Sequence, residues 1–115
     1  MESRQERILI VDDEESIRTL LSRKLSSEGY RCETADSAEG ALEKIEGNST
    51  ILTILDIKMP GKSGAELLPE IRARYPHTAV IMATAVNDIS IAIQCMKQGA
   101  DDYVCKPFSL DESIS

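Results

Sequence analysis

Three carboxylates, one hydroxyl and one ammonium stand at the ends of apolar runs in the sequence. Asp12 and Asp13 follow "ILIV", Asp56 ends "ILTILD", Thr84 lies near the end of "AVIMATA", and Lys106 follows "DYVC". Runs of this kind predict buried β-strands. The five polar side chains therefore mark strand ends, which is where the binding groups of open α/β sheets collect.

Side chains of these types would suit phosphoryl transfer onto a carboxylate if they met at one place. Clustered carboxylates raise one another's pKa unless a cation compensates them. Mg²⁺ is the expected cation, because it takes oxygen ligands and binds through one or two carboxylates plus a phosphate oxygen. A carboxylate beside Mg²⁺, a hydroxyl and a lysine can accept a phosphoryl group, since that transfer needs charge neutralisation and positioning. Asp56 is the central carboxylate and hence the expected nucleophile.

Five predicted strands alternate with amphipathic stretches. The strands cover residues 7–11, 30–35, 51–57, 79–85 and 102–105. This alternation predicts right-handed crossovers onto a parallel sheet that is covered on both faces. Five such strands favour a flavodoxin-like, doubly wound α/β fold with strand order 2-1-3-4-5. Strands 1 and 3 are neighbours in that order, so the three carboxylates would meet at one edge, and Lys106 could lean back towards them.

The amphipathic stretches carry helix signals. Apolar residues recur with helical spacing in the first helix at Ile17, Leu20, Leu21 and Leu25, in the second at Ala38, Ala41, Leu42 and Ile45, and in the fourth at Ile89, Ala92, Ile93 and Met96. Ser63 and Glu66 form the pattern of a capping box at the start of the third helix. Gly29 would end the first helix, and Asn87 or Asp88 would cap the fourth. The segment "SLDESIS" is expected to begin a fifth, truncated helix, so we expect a fragment of a longer protein.

Composition argues against several classes of function. A chain of 115 residues with a net charge of -7 is one domain whose surface does not favour nucleic acid or an anionic membrane. The apolar run from Ile8 to Val11 is too short for a signal peptide or a membrane span. Three cysteines without a CxxC motif fit small hydrophobic residues in a reducing compartment, so we expect a cytoplasmic protein.

Four segments resemble the receiver domain of bacterial two-component response regulators. They are "ILIVDDEESIR", "LDIKMPGKSG", "MATA" and "GADDYVCKPF", which occur in the order and spacing of that family over essentially the whole chain. The resemblance implies that a sensor histidine kinase or a phosphotransfer protein phosphorylates Asp56. It implies that Asp13, Asp56 and the backbone carbonyl of Lys58 bind Mg²⁺ directly, and that Asp12 acts through water.

The same resemblance implies a conformational switch. Thr84 would hydrogen-bond to the phosphoryl group, Lys106 would pair with it, and Tyr103 would turn inward, so that the surface of the fourth helix and fifth strand changes. A cis peptide bond between Lys106 and Pro107 would fix the approach of the lysine. Residues 1–115 would form one receiver domain with residues 1–6 as a lead. It would control a C-terminal output domain or a partner protein, including a second copy in a homodimer.

Two alternatives remain beside the signalling switch. Haloacid-dehalogenase-like phosphatases also use Asp, Thr, Lys and Mg²⁺, but they place a second Asp two residues after the nucleophile, where this chain has Lys58. A phosphate-independent interaction module would not need the complete set of polar residues. We therefore expect a domain that catalyses only its own phosphorylation and dephosphorylation and is otherwise no enzyme. Dephosphorylation should be slow, because neither Lys58 nor Val86 is suited to orient an attacking water.

Overall fold

A parallel sheet of five strands runs through the middle of the molecule. The structure is a computed structural model that describes residues 6–45 and 49–106. The strands are β1 (Arg7–Val11), β2 (Arg31–Ala35), β3 (Thr50–Asp56), β4 (Ala79–Ala85) and β5 (Asp102–Lys106). All neighbouring pairs are parallel and the order is β2-β1-β3-β4-β5. The doubly wound, flavodoxin-like arrangement predicted from the sequence is confirmed.

Four α-helices connect the strands within the described ranges. They are α1 (Glu15–Ser27), α2 (Ala38–Lys44), α3 (Gly64–Arg74) and α4 (Ile89–Lys97), and a short 3₁₀ turn, Val86–Asp88, precedes α4. The predicted fifth helix and the Lys106–Pro107 peptide bond lie outside the described residues. No helix in the described part of the chain is both long enough and apolar enough to cross a membrane.

Both faces of the sheet are covered by helices. Leu9 and Val11 of β1 pack in a cluster with buried residues of α2, α3 and α4, whereas Ile8 and Ile10 pack against Leu21 of α1 on the opposite face. Successive strand residues point to opposite faces, so a strand buried on both sides must be apolar throughout. This explains why "ILIV" is a continuous apolar run.

Helix ends follow the sequence signals in two of three cases. The Ser63 hydroxyl accepts a hydrogen bond from the Glu66 amide at 3.1 Å, and the Glu66 carboxylate accepts one from the Ser63 amide at 2.9 Å, so the predicted capping box is present. Gly29 follows α1 with a φ of 99°, as expected for a helix-ending glycine. Asp88 precedes α4, but its side chain makes no capping hydrogen bond and pairs instead with Lys58.

The predicted apolar faces of α1 and α4 are partly wrong. Leu20, Ile93 and Met96 are 40%, 47% and 36% exposed. In α4 the sheet-facing residues are Ala92 and Cys95, which are both buried. These two are three residues apart and share a face, whereas Ile93 lies about 100° further round the helix. The sequence predicted that the face with Ile89 and Ile93 is buried. In the structure, the buried face is the adjacent one, which carries Ala92 and Cys95.

The three cysteines differ in their surroundings. Cys95 is buried, and burial raises the pKa of its thiol, in keeping with the expected small hydrophobic residue. Cys32 is partly buried and packs against the cluster below α1. Cys105 is exposed on the edge strand β5, so the expectation was wrong for this residue.

Candidate functional site

The carboxyl ends of β1, β3, β4 and β5 surround one cavity. Its lining residues are Asp13, Glu14, Asp56, Ile57, Lys58, Ala83, Ala85, Asp88 and Lys106. In the sheet, Val11 of β1 is paired with Leu55 of β3. The residues that follow this pair, Asp12 and Asp56, therefore stand side by side where their strands end.

Three carboxylates meet beside this cavity. Asp12, Asp13 and Asp56 each place an oxygen within 4.8 Å of the others. Asp12 and Asp56 are buried, at 2% and 6% exposure, whereas Asp13 is exposed. The sequence predicted that these three side chains lie close together, and in the structure they do.

Backbone and side-chain hydrogen bonds fix the acidic turn. The Glu14 amide donates to the Asp12 carboxylate at 2.9 Å, and the Asp12 amide donates to the Ala35 carbonyl at 3.0 Å. The guanidinium of Arg18, one turn into α1, donates to the Asp12 carbonyl at 2.8 Å. The sequence did not predict this role of Arg18, because nothing about a single arginine on a helix indicates that its side chain bonds to the preceding turn.

Lys106 extends from β5 to the acidic cluster on the far side of β4. Its ammonium lies 2.7 Å from an Asp12 oxygen, 3.3 Å from an Asp56 oxygen and 3.8 Å from a Glu14 oxygen. Burial alone would lower the pKa of Lys106, but the hydrogen bond to Asp12 and the charge of Asp56 raise its pKa above the ordinary value. The ammonium therefore stays charged and bridges the two buried carboxylates.

One ammonium does not fully compensate this cluster. Burial, first, and the charge of Asp12, second, raise the pKa of Asp56 from 3.8 to about 7, although Lys106 acts in the opposite direction. Burial and the neighbouring carboxylate therefore outweigh the single positive charge that Lys106 supplies. Asp12, Asp13 and Asp56 offer only hard oxygen ligands, and these fit a hard divalent cation such as Mg²⁺. Lys58 lines the same cavity, as required of a residue expected to add its carbonyl.

Thr84 and Tyr103 lie on β4 and β5 but do not line the cavity. Thr84 is buried on β4, and its hydroxyl donates to the Ala85 carbonyl at 3.0 Å. Tyr103 of β5 is paired with Met82 of β4, and its partly buried ring packs against the main core cluster. The Thr84 hydroxyl would have to leave the Ala85 carbonyl before it could hydrogen-bond to a group on Asp56.

Gly64 is a residue of the site that sequence reasoning missed. Its amide donates to the Ile57 carbonyl at 2.8 Å, so the start of α3 lies against the end of β3. A Cβ atom at Gly64 would stand 1.9 Å from the Asp56 carbonyl oxygen, which is far inside van der Waals contact. The glycine directly after the capping Ser63 was the available signal, since glycine in a first helical turn has a cost that close packing can justify.

Comparisons with known proteins identify the family to which this sequence is similar. The response regulator receiver domain model matches residues 8–115. The DNA-binding transcriptional regulator NtrC of Escherichia coli is 38% identical over 108 residues, which cover 94% of this chain and 23% of NtrC. The response regulator protein FleR of Pseudomonas aeruginosa is 41% identical over 102 residues, 89% of this chain and 22% of FleR. This chain thus spans about a quarter of the length of these relatives.

A solved structure has the same fold over most of the chain. The crystal structure of the receiver domain of NtrX from Brucella abortus has a TM-score of 0.85 and 38% identity, and covers 93% of this chain and 91% of that one. The matched residues include the carboxyl ends of all five strands, four of which surround the cavity. The chain belongs to the response regulator receiver domain family, whose members are signal-transduction domains of two-component systems.

Proposed function

We propose that this domain is a phosphorylation-dependent switch with Asp56 as the phosphoryl acceptor. A sensor histidine kinase or a phosphotransfer protein would be the donor. The observation that carries the proposal is the convergence of three carboxylates within 4.8 Å, with Lys106 between the two that are buried. Asp56 is the expected acceptor because it is flanked by Asp12 on one side and by the residues of β4 on the other.

The transfer would exchange one bond to phosphorus for another. An Asp56 carboxylate oxygen attacks the phosphorus of a phosphohistidine, a P–O bond forms, and the P–N bond breaks as its electron pair returns to the imidazole. Asp56 must be deprotonated to attack, and Lys106 favours this form. Asp12, Asp13, Asp56 and the Lys58 carbonyl would hold Mg²⁺, which when bound neutralises charge on the phosphoryl oxygens.

The switch would begin with two side chains that hold other partners in this structure. Lys106 would exchange Asp12 for a phosphoryl oxygen, and Thr84 would turn its hydroxyl from the Ala85 carbonyl to the phosphoryl group. Tyr103 would then turn inward, which changes the surface of α4 and β5. That surface exposes Ile93, Met96 and Val104, so its rearrangement would alter apolar contacts with a partner.

The regulated process belongs to a partner or to another domain. NtrC is a DNA-binding transcriptional regulator, which supports an output domain of that kind C-terminal to the receiver. The net charge of -7 argues that this domain does not itself bind DNA. We place its action in the cytoplasm, where its three cysteines would stay reduced. It would catalyse only its own phosphoryl chemistry, and slowly in the hydrolytic direction.

The proposal is tested by intact-protein mass measurement after incubation with acetyl phosphate and Mg²⁺. One phosphoryl adduct is expected for the wild type, and none for Asp56→Asn or for the wild type with EDTA. The Asp36→Asn variant, which changes an exposed carboxylate at the end of β2, should gain the adduct normally. Folded wild-type protein that binds Mg²⁺ but gains no adduct would refute the proposal in favour of a phosphate-independent interaction module.

A further inference from the structure

An ion pair crosses the mouth of the cavity between two loops. The Lys58 ammonium lies 3.3 Å from an Asp88 carboxylate oxygen. Lys58 is in the loop between β3 and α3, two residues after Asp56, and Asp88 is the last residue before α4. Both side chains belong to the lining of the cavity that contains Asp56. The pair therefore connects the surroundings of Asp56 to the start of α4.

The ion pair engages Asp88, whose side chain is of a type that could cap α4. Aspartate is among the best residues for accepting hydrogen bonds from the free amides of a first helical turn. Asp88 holds the capping position of α4 but makes no such bond, and its side chain is 15% exposed. Its backbone, with φ of -113° and ψ of 19°, also departs from the extended conformation usual at that position. The Asp88 carboxylate is thus paired with Lys58 and not with the amides of α4.

A phosphoryl group on Asp56 would compete for Lys58. The strand order puts Asp12 and Asp13 on the β1 side of Asp56 and Asp88 on the β4 side. Lys106 already pairs with Asp12 and Asp56, whereas the partner of Lys58 is Asp88. The Lys58 side chain is 69% exposed and free to change partner. A phosphoryl group carries up to two negative charges, which would attract Lys58 and repel Asp88.

We propose that the Lys58–Asp88 ion pair is a latch that restrains the start of α4 until Asp56 is phosphorylated. The phosphoryl group draws Lys58 away, and Asp88 then becomes free to cap α4. This inference rests on the proposed function, because the phosphoryl group on Asp56 is its trigger. It adds Lys58 and Asp88 to Thr84 and Tyr103 as positioning residues of the switch.

A double-mutant cycle measures the latch directly. Urea unfolding of the wild type, Lys58→Gln, Asp88→Asn and the double variant gives the coupling between the two side chains. Without a phosphoryl group we expect a coupling of about two- to fivefold in the unfolding equilibrium constant, as for other exposed ion pairs. With saturating beryllofluoride and Mg²⁺, which mimic a phosphoryl group on a carboxylate, the coupling should vanish.

A second ion pair provides the control. Lys62 and Glu70 are 2.8 Å apart and neither lines the cavity, so a cycle of Lys62→Gln and Glu70→Gln should give the same coupling with and without beryllofluoride. No coupling between Lys58 and Asp88 in the free domain, or equal coupling in both states, would refute the latch. Failure of the wild type to bind beryllofluoride would instead refute the proposed function, and with it the trigger.

Discussion

At the scale of single residues, the high pKa of Asp56 means that its ionised carboxylate destabilises the folded domain. The folded domain holds this proton up to about pH 7, whereas the unfolded chain releases it near 3.8. The unfolded state therefore binds fewer protons between these values, and the free energy of unfolding contributed by Asp56 falls as the pH rises through that window. Above about pH 7, Asp56 is ionised in both states and its full destabilising effect on the folded domain remains.

Asp56→Asn should remove this cost. In buffer without divalent cations and above pH 7, we expect the variant to be more stable than the wild type by about 1 to 3 kcal/mol, with the gain disappearing towards pH 4. Urea unfolding across that pH range measures it. Asp36→Asn, on the exposed end of β2, controls for the loss of one negative charge. If the variant is less stable than the wild type at high pH, the ionised Asp56 carboxylate does not destabilise the folded domain.

Lys106 has the opposite role, because it compensates Asp12 and Asp56. Lys106→Met would leave two buried carboxylates facing each other, so we expect a loss of about 1 to 3 kcal/mol above pH 7. Mg²⁺ should restore part of it. Lys62→Met removes a lysine that pairs at the surface and should change the stability little. Equal effects of the two substitutions in urea unfolding would show that Lys106 does not neutralise the cluster.

At the scale of elements, Gly64 allows the start of α3 to pack closely against the end of β3. Helix propensity alone predicts that Gly64→Ala stabilises α3 by about 1 kcal/mol. The structure predicts the reverse, a loss of about 1 to 3 kcal/mol, because the added Cβ collides with the Asp56 backbone. Thermal or urea unfolding decides between them, with Ala73→Gly in the same helix measuring propensity without a collision. A stabilised Gly64→Ala variant would mean that α3 is free to move away from β3.

Strands and helix ends were predictable where local chemistry fixes them. Apolar runs in the sequence predict the strand order and the meeting of Asp12, Asp13 and Asp56 at the strand ends. The capping box at Ser63 follows from two side chains three residues apart. The exposed faces of α1 and α4 were not predictable, because several apolar residues compete for the same contact with the sheet. Tertiary contacts such as Arg18 to Asp12, Lys58 to Asp88 and Gly64 to Asp56 join segments whose separation in sequence hides them.

At the scale of the whole molecule, divalent metal should act as a stabilising ligand. A cation bound only by the folded state at a hundred times its dissociation constant stabilises by about 2.7 kcal/mol. We expect Mg²⁺ to raise the melting temperature. The increase should be smaller below about pH 7, because a proton then competes with the metal for the Asp56 carboxylate. A potassium salt of equal ionic strength controls for screening of the net charge of -7. Equal shifts with both salts would mean that no metal site forms.

On phosphorylation, we expect the phosphoryl group on Asp56 and on no neighbouring carboxylate. Borohydride reduction of domain treated with acetyl phosphate and Mg²⁺, followed by peptide mass spectrometry, tests it most directly, because an acyl phosphate is reduced to an alcohol at the modified residue. We predict homoserine at position 56 only, and none when EDTA replaces Mg²⁺. Homoserine at position 12 or 13, or at no position in protein that carries the phosphoryl mass, would contradict the assignment of Asp56 as acceptor.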